Sequence, residues 1–314
     1  MQQVDRMPLV SVICATYNQE KYISECLDGI LGQQTDFYFE LIVHDDASTD
    51  ATPDIIKEYA ERYGGQVIPV FQTQNQWSRK VAIDKEFLYP KVRGKYVAIC
   101  EGDDYWSDKR KLQLQVDYME SHPECVVCAT ECKWLIQSTG EFLSAPSRHK
   151  EVCTVQDFLE NNQIYTLTTL SRASFAKEFQ FEVLPLIPFF PMRDYTMWLY
   201  LLSKGTIVKL QDCTSVYRVL ESSASHFKKS FEQMKFAMAS YDIRSYFNDL
   251  MRYGVRSMIF KKWRDTYRYA KHMKRGISGL GLFAKCVIWM IFHPVPRPSA
   301  AVRNKVKSLN YNRI

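Results

Sequence analysis

LVSVICATYNQEKYISECLDGILGQ, residues 9–33, is the stretch on which the fold turns. Leu9 to Ala15 is a short apolar run rich in β-branched residues, the composition of a buried strand. Asn18 then stands where a helix N-cap belongs. Tyr22, Ile23, Cys26, Leu27, Ile30 and Leu31 recur at three- and four-residue steps, which predicts a helix. The alternation continues outward. Phe39 to Val43 reads as a second strand, and Thr52-Pro53 opens a helix through Tyr59 as N-cap and first residue. Gly64-Gly65 ends that helix, and Gln66 to Phe71 follows as a third strand. Tyr96 to Cys100 is a fourth, with Ser107 or Asp108 capping a helix through Glu120, and Cys125 to Thr130 a fifth. This order predicts an α/β protein with a mostly parallel, Rossmann-like sheet and helices on both faces. Ligands of such sheets bind at the carboxyl ends of the strands.

What stands at those ends is acidic and polar. The first strand runs into Thr16-Tyr17-Asn18, the second into Asp45-Asp46-Ala47-Ser48-Thr49-Asp50, and the fourth into Glu101-Gly102-Asp103-Asp104. Each cluster alone reads as a turn or a helix cap. Three of them after successive strands point to a site. Neither G-x-G-x-x-G nor G-x4-G-K-[ST] occurs, which disfavours the dinucleotide and P-loop phosphate cradles. Carboxylates repel a diphosphate unless a divalent cation stands between them. A nucleobase and a ribose, by contrast, bring N–H and O–H donors that carboxylates accept. The pattern fits a nucleotide diphosphate, with the acidic loops gathered around one divalent ion.

Three segments, VSVICATYNQEKYISECLDGILGQ (10–33), ELIVHDDASTDATPDII (40–56) and GKYVAICEGDDYWSDKRKLQLQVDYM (94–119), are followed by RDYTMWLYLLSKGTIVKL (193–210) and VYRVLESSASH (216–226). Together and in this order they resemble family 2 glycosyltransferases of the GT-A fold, over roughly residues 8–226. The resemblance implies transfer of one sugar, with inversion, from a nucleotide-diphosphate sugar (UDP-sugar favoured) to an acceptor hydroxyl. It implies that Thr16, Tyr17 and Asn18 line the nucleotide site, that Asp45 accepts from the base, and that Asp46 and Ser48 lie nearby. Glu101-Gly102-Asp103, with Asp104 beside it, takes the place of the D-x-D motif, although Glu stands first here. Asp103 would ligate Mg2+ or Mn2+. Asp194 would be the catalytic base, activating the acceptor hydroxyl opposite the departing diphosphate. Arg218 would contact phosphate or brace the acceptor wall, and His226 would contact metal or phosphate. By its residue type and place, Asp194 also reads as a plain helix N-cap.

Composition bounds the rest. The 314 residues are 46% hydrophobic and 24% charged, with 12 Gly and 12 Pro, which excludes collagen-like, disordered and disulfide-scaffold chains. Nine cysteines, and a polar Met1–Pro8 segment followed by no signal-peptide h-region, predict a reduced, cytoplasmic setting. Cys125, Cys128 and Cys132 read as buried strand residues rather than zinc ligands, because no second pair stands at finger spacing.

Charge divides the chain at residue 226. Residues 1–226 hold 22 Lys and Arg against 31 Asp and Glu, while 227–314 hold 19 against 4, a net of +15. Such a tail predicts an anionic partner. Phe227, Phe231, Met234, Met238 and Tyr241 lie at helical spacing, as do Val255, Met258, Ile259, Trp263 and Tyr267. Ile277 to Phe292 is nearly all apolar but too short to span a bilayer, which needs about 20 residues. The expectation is a GT-A domain over 1–226 and a basic helical region over 227–314. That region either rests on the cytoplasmic face of an anionic membrane or packs on the body with a solvated basic face. No nucleic-acid signature appears. The family resemblance implies a glycan or lipid-linked acceptor, in surface-polysaccharide or lipid-linked-oligosaccharide synthesis. Two alternatives remain open: a nucleotidyltransferase making a sugar nucleotide, and a non-catalytic nucleotide-sugar-binding protein.

Overall fold

The structure, a computed structural model, describes residues 7–145, 151–220, 230–251, 258–273 and 277–307. The chain divides into two compact units. One comprises Met1–Thr154, Gln163–Glu182 and Lys204–Val219; the other comprises Val155–Asn162, Val183–Ser203 and Leu220–Ile314. The segment carrying Asp194 thus belongs to the second unit, together with the basic tail.

The first unit is built on one sheet. Its strands are β1 (Val10–Thr16), β2 (Phe39–Asp45), β3 (Val67–Phe71), β4 (Tyr96–Ile99), β5 (Tyr105–Trp106), β6 (Cys125–Ile136), β7 (Glu141–Ser144), β8 (Val152–Cys153), β9 (Leu170–Arg172) and β10 (Thr206–Val219). The order is β3-β2-β1-β4-β9-β6-β10-β5, with β7 added to β6 and β8 to β10. β3, β2, β1 and β4 are mutually parallel, and β6 is parallel to β10. β9 runs antiparallel between β4 and β6, so the sheet is mixed while its main strands still share one direction. The register pairs Thr16 with Asp45 and Asp45 with Phe71, which sets the exits of β1, β2 and β3 side by side.

Strand alternation decides which side chains meet the helices. Val10, Val12, Cys14, Phe39, Leu41 and Val43 bury one face, against Ile23, Cys26, Leu27 and Ile30 of α1 (Ile23–Leu31) and Ile56 and Tyr59 of α2 (Thr52–Tyr63). Leu112, Val116 and Met119 of α3 (Lys111–Ser121) join the same core. Ile13 and Ile42 are buried on the opposite face, as is Glu40, which accepts from Ser11 Oγ at 2.6 Å and from Arg93 Nε at 2.8 Å. Cys125, Cys128 and Cys132 are buried on β6.

One buried group is unusual. Lys111 is fully buried at the start of α3, and no carboxylate pairs with it among the described residues. Its Nζ donates to Gln115 Oε1 at 2.7 Å and lies 4.3 Å from the Trp106 ring. Gln115 Nε2 in turn donates to the carbonyls of Cys128 and Thr168 at 2.6 and 2.8 Å. Burial pulls the Lys111 ammonium down to about 7, because a lone charge is costly in an apolar interior.

The second unit is helical. α4 (Val155–Glu160), α6 (Arg193–Leu201), α7 (Ser230–Met251), α8 (Met258–Met273), α9 (Ile277–Phe292) and α10 (Ala300–Lys307) belong to it, while the short α5 (Ala173–Glu178) belongs to the first unit. Met234 and Met238 of α7, Ala270 of α8, and Leu282, Cys286 and Met290 of α9 form one core. Part of the stripe expected to meet lipid therefore packs helix on helix within this unit. Phe227 and Val255 lie outside the described residues. No helix among the described residues is long and apolar enough to cross a membrane.

Candidate active site

The loops leaving β1 and β2 are stitched to each other. Asn18 does not cap α1, which starts at Ile23 with no side-chain cap; it takes a left-handed backbone, φ +53°. Its N–H donates to Ser48 Oγ at 2.8 Å, and its side-chain oxygen accepts from the Thr49 N–H at 2.8 Å. The neighbouring N–H of Gln19 donates to Thr52 Oγ1 at 2.8 Å, that of Glu20 to Asp50 Oδ2 at 3.1 Å, and that of Ala51 to Glu20 Oε2 at 3.0 Å. Asn competes well for this conformation because its short amide bonds locally. The hydroxyls and carboxylate that suggested a helix cap at Ser48–Thr52 are used across the loops instead.

The adjacent aspartates face opposite duties. Asp45 is buried and accepts from the Ser48 N–H at 3.1 Å and from Ser48 Oγ at 2.5 Å. Asp46, also buried, accepts from the N–H groups of Gln76 and Trp77 at 2.7 and 2.9 Å. That carboxylate pins the loop after β3 and presents Trp77 with 65% of its surface exposed. Sequence reading passed over Trp77; a lone indole in the polar run Gln72–Ser78 was the available signal. His44, next to the pair, is buried in β2 and stacks on Phe87 with ring centroids 5.3 Å apart, and burial lowers its pKa.

The acidic loop after β4 stays attached to β1. Cys100 N–H donates to Ile13 O and Gly102 N–H to Ala15 O, both at 3.1 Å, so the parallel ladder continues past the strand end. Gly102 is required there: a Cβ would lie 2.3 Å from Gln19 Oε1 and 2.8 Å from Thr16 Cβ. Gln19, a residue the sequence reading did not single out, accepts from Thr16 Oγ1 at 2.6 Å and bonds the Asp103 carboxylate. Asp103 is half-buried. Burial raises its pKa, while the Gln19 bond and the Arg218 charge pull it back. Asp104 is buried and accepts from the Arg218 N–H at 2.7 Å. Burial first, then the Asp103 and Glu101 charges, push it well above the usual carboxylate range.

Arg218 is the cation of this corner. It is buried, lies between the rings of Tyr22 (5.2 Å) and Tyr105 (4.7 Å), bonds Gln137 Oε1 at 3.1 Å and pairs with Glu25. Its charge pulls down both Asp103 and Asp104, against the burial that raises them. The expected gathering of all acidic loops on one ion is not what the structure shows. Among the described residues no three His, Cys, Asp or Glu side chains converge as a metal cage. Asp45 and Asp46 are instead committed to loop donors.

Asp194 lies in the second unit, half-buried in the first turn of α6, where the helix dipole favours a carboxylate. Every residue from Tyr195 to Leu201 is buried, and Tyr195 Oη donates to the Phe158 carbonyl of α4. Only the entry to this helix is open. Thr16, Tyr17, Asn18, Asp45, Asp46, Ser48, Glu101, Asp103, Asp104 and Arg218 all belong to the first unit, and His226 lies outside the described residues.

Comparison with known proteins matches residues 11–146 to the family described as Glycosyl transferase family 2. An uncharacterized protein of Mycobacterium tuberculosis is 47% identical over 121 residues, 38% of this chain; the chain thus spans about a third (34%) of that protein's length. The putative teichuronic acid biosynthesis glycosyltransferase TuaG of Bacillus subtilis is 31% identical over 225 residues, covering 70% of this chain and 83% of TuaG. The UDP-Glc:alpha-D-GlcNAc-diphosphoundecaprenol beta-1,3-glucosyltransferase WfaP of Escherichia coli is 27% identical over 72% of this chain and 84% of its own. Among solved structures, S. aureus TarS 1-349 in complex with UDP-GlcNAc superposes with a TM-score of 0.64 at 18% identity, over 96% of this chain and 88% of that one. The mannosyltransferase PcManGT of Pyrobaculum calidifontis, in complex with GDP-Man and Mn2+, gives 0.56 at 14% identity over 98% and 85%. These structures carry the fold, GT-A. With TuaG aligned over most of its length, the chain belongs to glycosyl transferase family 2.

Proposed function

We propose that this chain transfers one sugar from a nucleotide-diphosphate sugar, most simply a UDP-sugar, to the hydroxyl of a glycan or lipid-linked acceptor, inverting the anomeric carbon. The observation that carries the reading is the Glu101–Asp104 loop, latched to the exit of β1 beside Thr16, where burial and neighbouring carboxylates hold Asp104 well above the usual carboxylate range. The relative WfaP, named for a UDP-Glc donor and a diphosphoundecaprenol acceptor, supports the substrate classes. The donor set fits Mg2+ or Mn2+. Hard carboxylate oxygens suit both ions, and such an ion takes its remaining ligands from substrate phosphates and water. Asp103, the half-buried carboxylate, would hold it, with Glu101 and Asp104 adding charge. Bound there, the ion would offset the negative charge of the departing diphosphate.

The chain's own residues do the rest. Asn18 and Ser48 fix the nucleotide loops, and Tyr17 offers an exposed ring beside them. Asp194 takes the acceptor proton as the new C1–O bond forms and the C1–O bond to phosphate breaks, the electron pair leaving with the diphosphate. Thermal shift with UDP-sugars, with and without Mn2+, identifies the donor. Asp194→Asn should keep that shift and lose turnover; Asp103→Asn should lose the Mn2+-dependent part of it. Equal turnover in Asp194→Asn and wild type would remove Asp194 from the mechanism. A product that retains the donor's anomeric configuration would refute inversion.

A further inference from the structure

α9 has two apolar faces, and only one is used inside the protein. Leu282, Cys286 and Met290, at four-residue steps, are buried against α7 and α8. On the far side Leu280, Ile288, Ile291 and Phe292 are 55%, 55%, 63% and 75% exposed, with Ala284 between them and Lys285 at their edge. Four large apolar side chains on one helix face are not scattered surface residues; contiguous patches of this kind mark interaction sites.

The neighbouring helix extends the surface in an ordered way. On α8, Lys262, Thr266 and Ala270 face inward, Trp263 and Tyr267 come next around the helix, and Arg264, Arg268 and Lys271 form the outward stripe. Trp263 and Tyr267 pack edge-on against Phe283 of α9, with centroids 6.5 and 5.3 Å away. Phe283 lies between the buried and exposed faces of α9. Across the seam the order is therefore basic stripe, half-exposed aromatic pair, apolar stripe.

Charge selects the occupant. The four acidic residues of 227–314 are all engaged: Glu232 with Lys235, Asp242 with Lys262, Asp265 with Arg264, and Asp249 with Arg303. Against them the segment carries 19 Lys and Arg. Two copies of so cationic a face repel each other. A polyanion such as RNA would satisfy the charge and leave the apolar stripe wet. An anionic lipid surface takes all three bands, with acyl chains against the apolar stripe, the glycerol level at Trp and Tyr, and phosphates at the basic stripe.

We propose that the α8–α9 face is a membrane-docking surface, with α9 lying in the plane of an anionic bilayer. At 16 residues it is about 24 Å long, short of the ~30 Å hydrocarbon core, so it rests in the interface rather than crossing it. Docking needs no donor, metal or acceptor, so its test is separate from that of sugar transfer. The full chain is floated with vesicles of phosphatidylcholine alone, or with about one third phosphatidylglycerol. Wild type is expected to float with the anionic vesicles at least tenfold more than with the neutral ones, and to lose most of this at high salt. Ile288→Ser/Ile291→Ser/Phe292→Ser should abolish flotation with Tm and monomer mass unchanged, because all three side chains are exposed. Arg268→Gln/Lys271→Gln should weaken it severalfold, and Phe292→Ser alone should weaken it as a check on the triple variant. Flotation unaffected by the triple variant, or equal on neutral vesicles, would overturn the proposal. So would a dimer in solution that the triple variant dissolves.

Discussion

Replacing Lys111 by Met removes a buried ammonium while nearly conserving volume, and its effect is best read as a pH slope. The folded-state value is about 7 and an unfolded lysine titrates near 10.4, a gap of more than three units. Between those values the unfolded chain binds the proton and the folded chain does not, so stability rises with pH across the window. The full span corresponds to roughly 4 kcal/mol, and the part between pH 7 and 9 to about 2 kcal/mol. Below pH 7 both states are protonated and the slope vanishes. Buried thiols act in the opposite direction: burial pushes Cys100 up to about 11 and Cys125 to about 12, so both stay protonated in the fold while the unfolded chain releases them. They are present in both proteins and cancel, to first order, in the difference. The absolute stability of Lys111→Met at pH 7 balances a relieved desolvation cost against the Gln115 oxygen left without its donor; the slope does not depend on that balance. Urea unfolding of both proteins at pH 7, 8 and 9 gives the comparison. The wild-type advantage should grow by about 2 kcal/mol across the series. A difference that stays flat would show that Lys111 keeps its charge inside the protein, and the account of the Trp106–Gln115 cluster would be wrong.

Three further outcomes follow from the site. Gly102→Ala should lower Tm and abolish the donor-induced thermal shift, since its Cβ meets Gln19 and Thr16, an overpacking cost of about 1–3 kcal/mol; an unchanged shift would mean the loop yields without consequence. Asp46→Ala takes the acceptor from two backbone N–H groups and should cost roughly 2–4 kcal/mol in urea, with faster proteolysis between Gln74 and Arg79; protection equal to wild type would refute the pinning role. Arg218→Met should destabilise by about 1–3 kcal/mol, less than the loss of a fully buried partnership, because Glu25 stays half in water; denaturation midpoints decide it, and no change would mean the stacking between Tyr22 and Tyr105 contributes nothing.

The main strands were legible because each is rich in apolar residues, and the helices after them carry clear three- and four-residue steps. β9 was not, since three residues hold no pattern, yet its antiparallel insertion makes the sheet mixed. The acidic loop after β4 was legible as chemistry, but the roles of its neighbours were not. Asn18, Ser48 and Thr52 all read as helix caps, and only the Thr16–Asp45 register shows that they bond across two loops. Gln19 and Lys111 carried no sequence signal, because what matters about Gln19 is a carboxylate far along the chain, Asp103, and what matters about Lys111 is its complete burial. In the tail, helical spacing announced an apolar face but could not say whether another helix already covered it; on α9 one face is covered and the other is not.

The cross-loop bonding of Asn18, Gln19 and Glu20 to Ser48–Thr52 also limits how relatives can exchange parts. A foreign turn spliced between β2 and α2 would arrive without the hydroxyls and carboxylate that its counterpart after β1 requires. Crossover points for functional chimeras should therefore fall outside residues 16–52, and those 37 positions should travel as a single cassette.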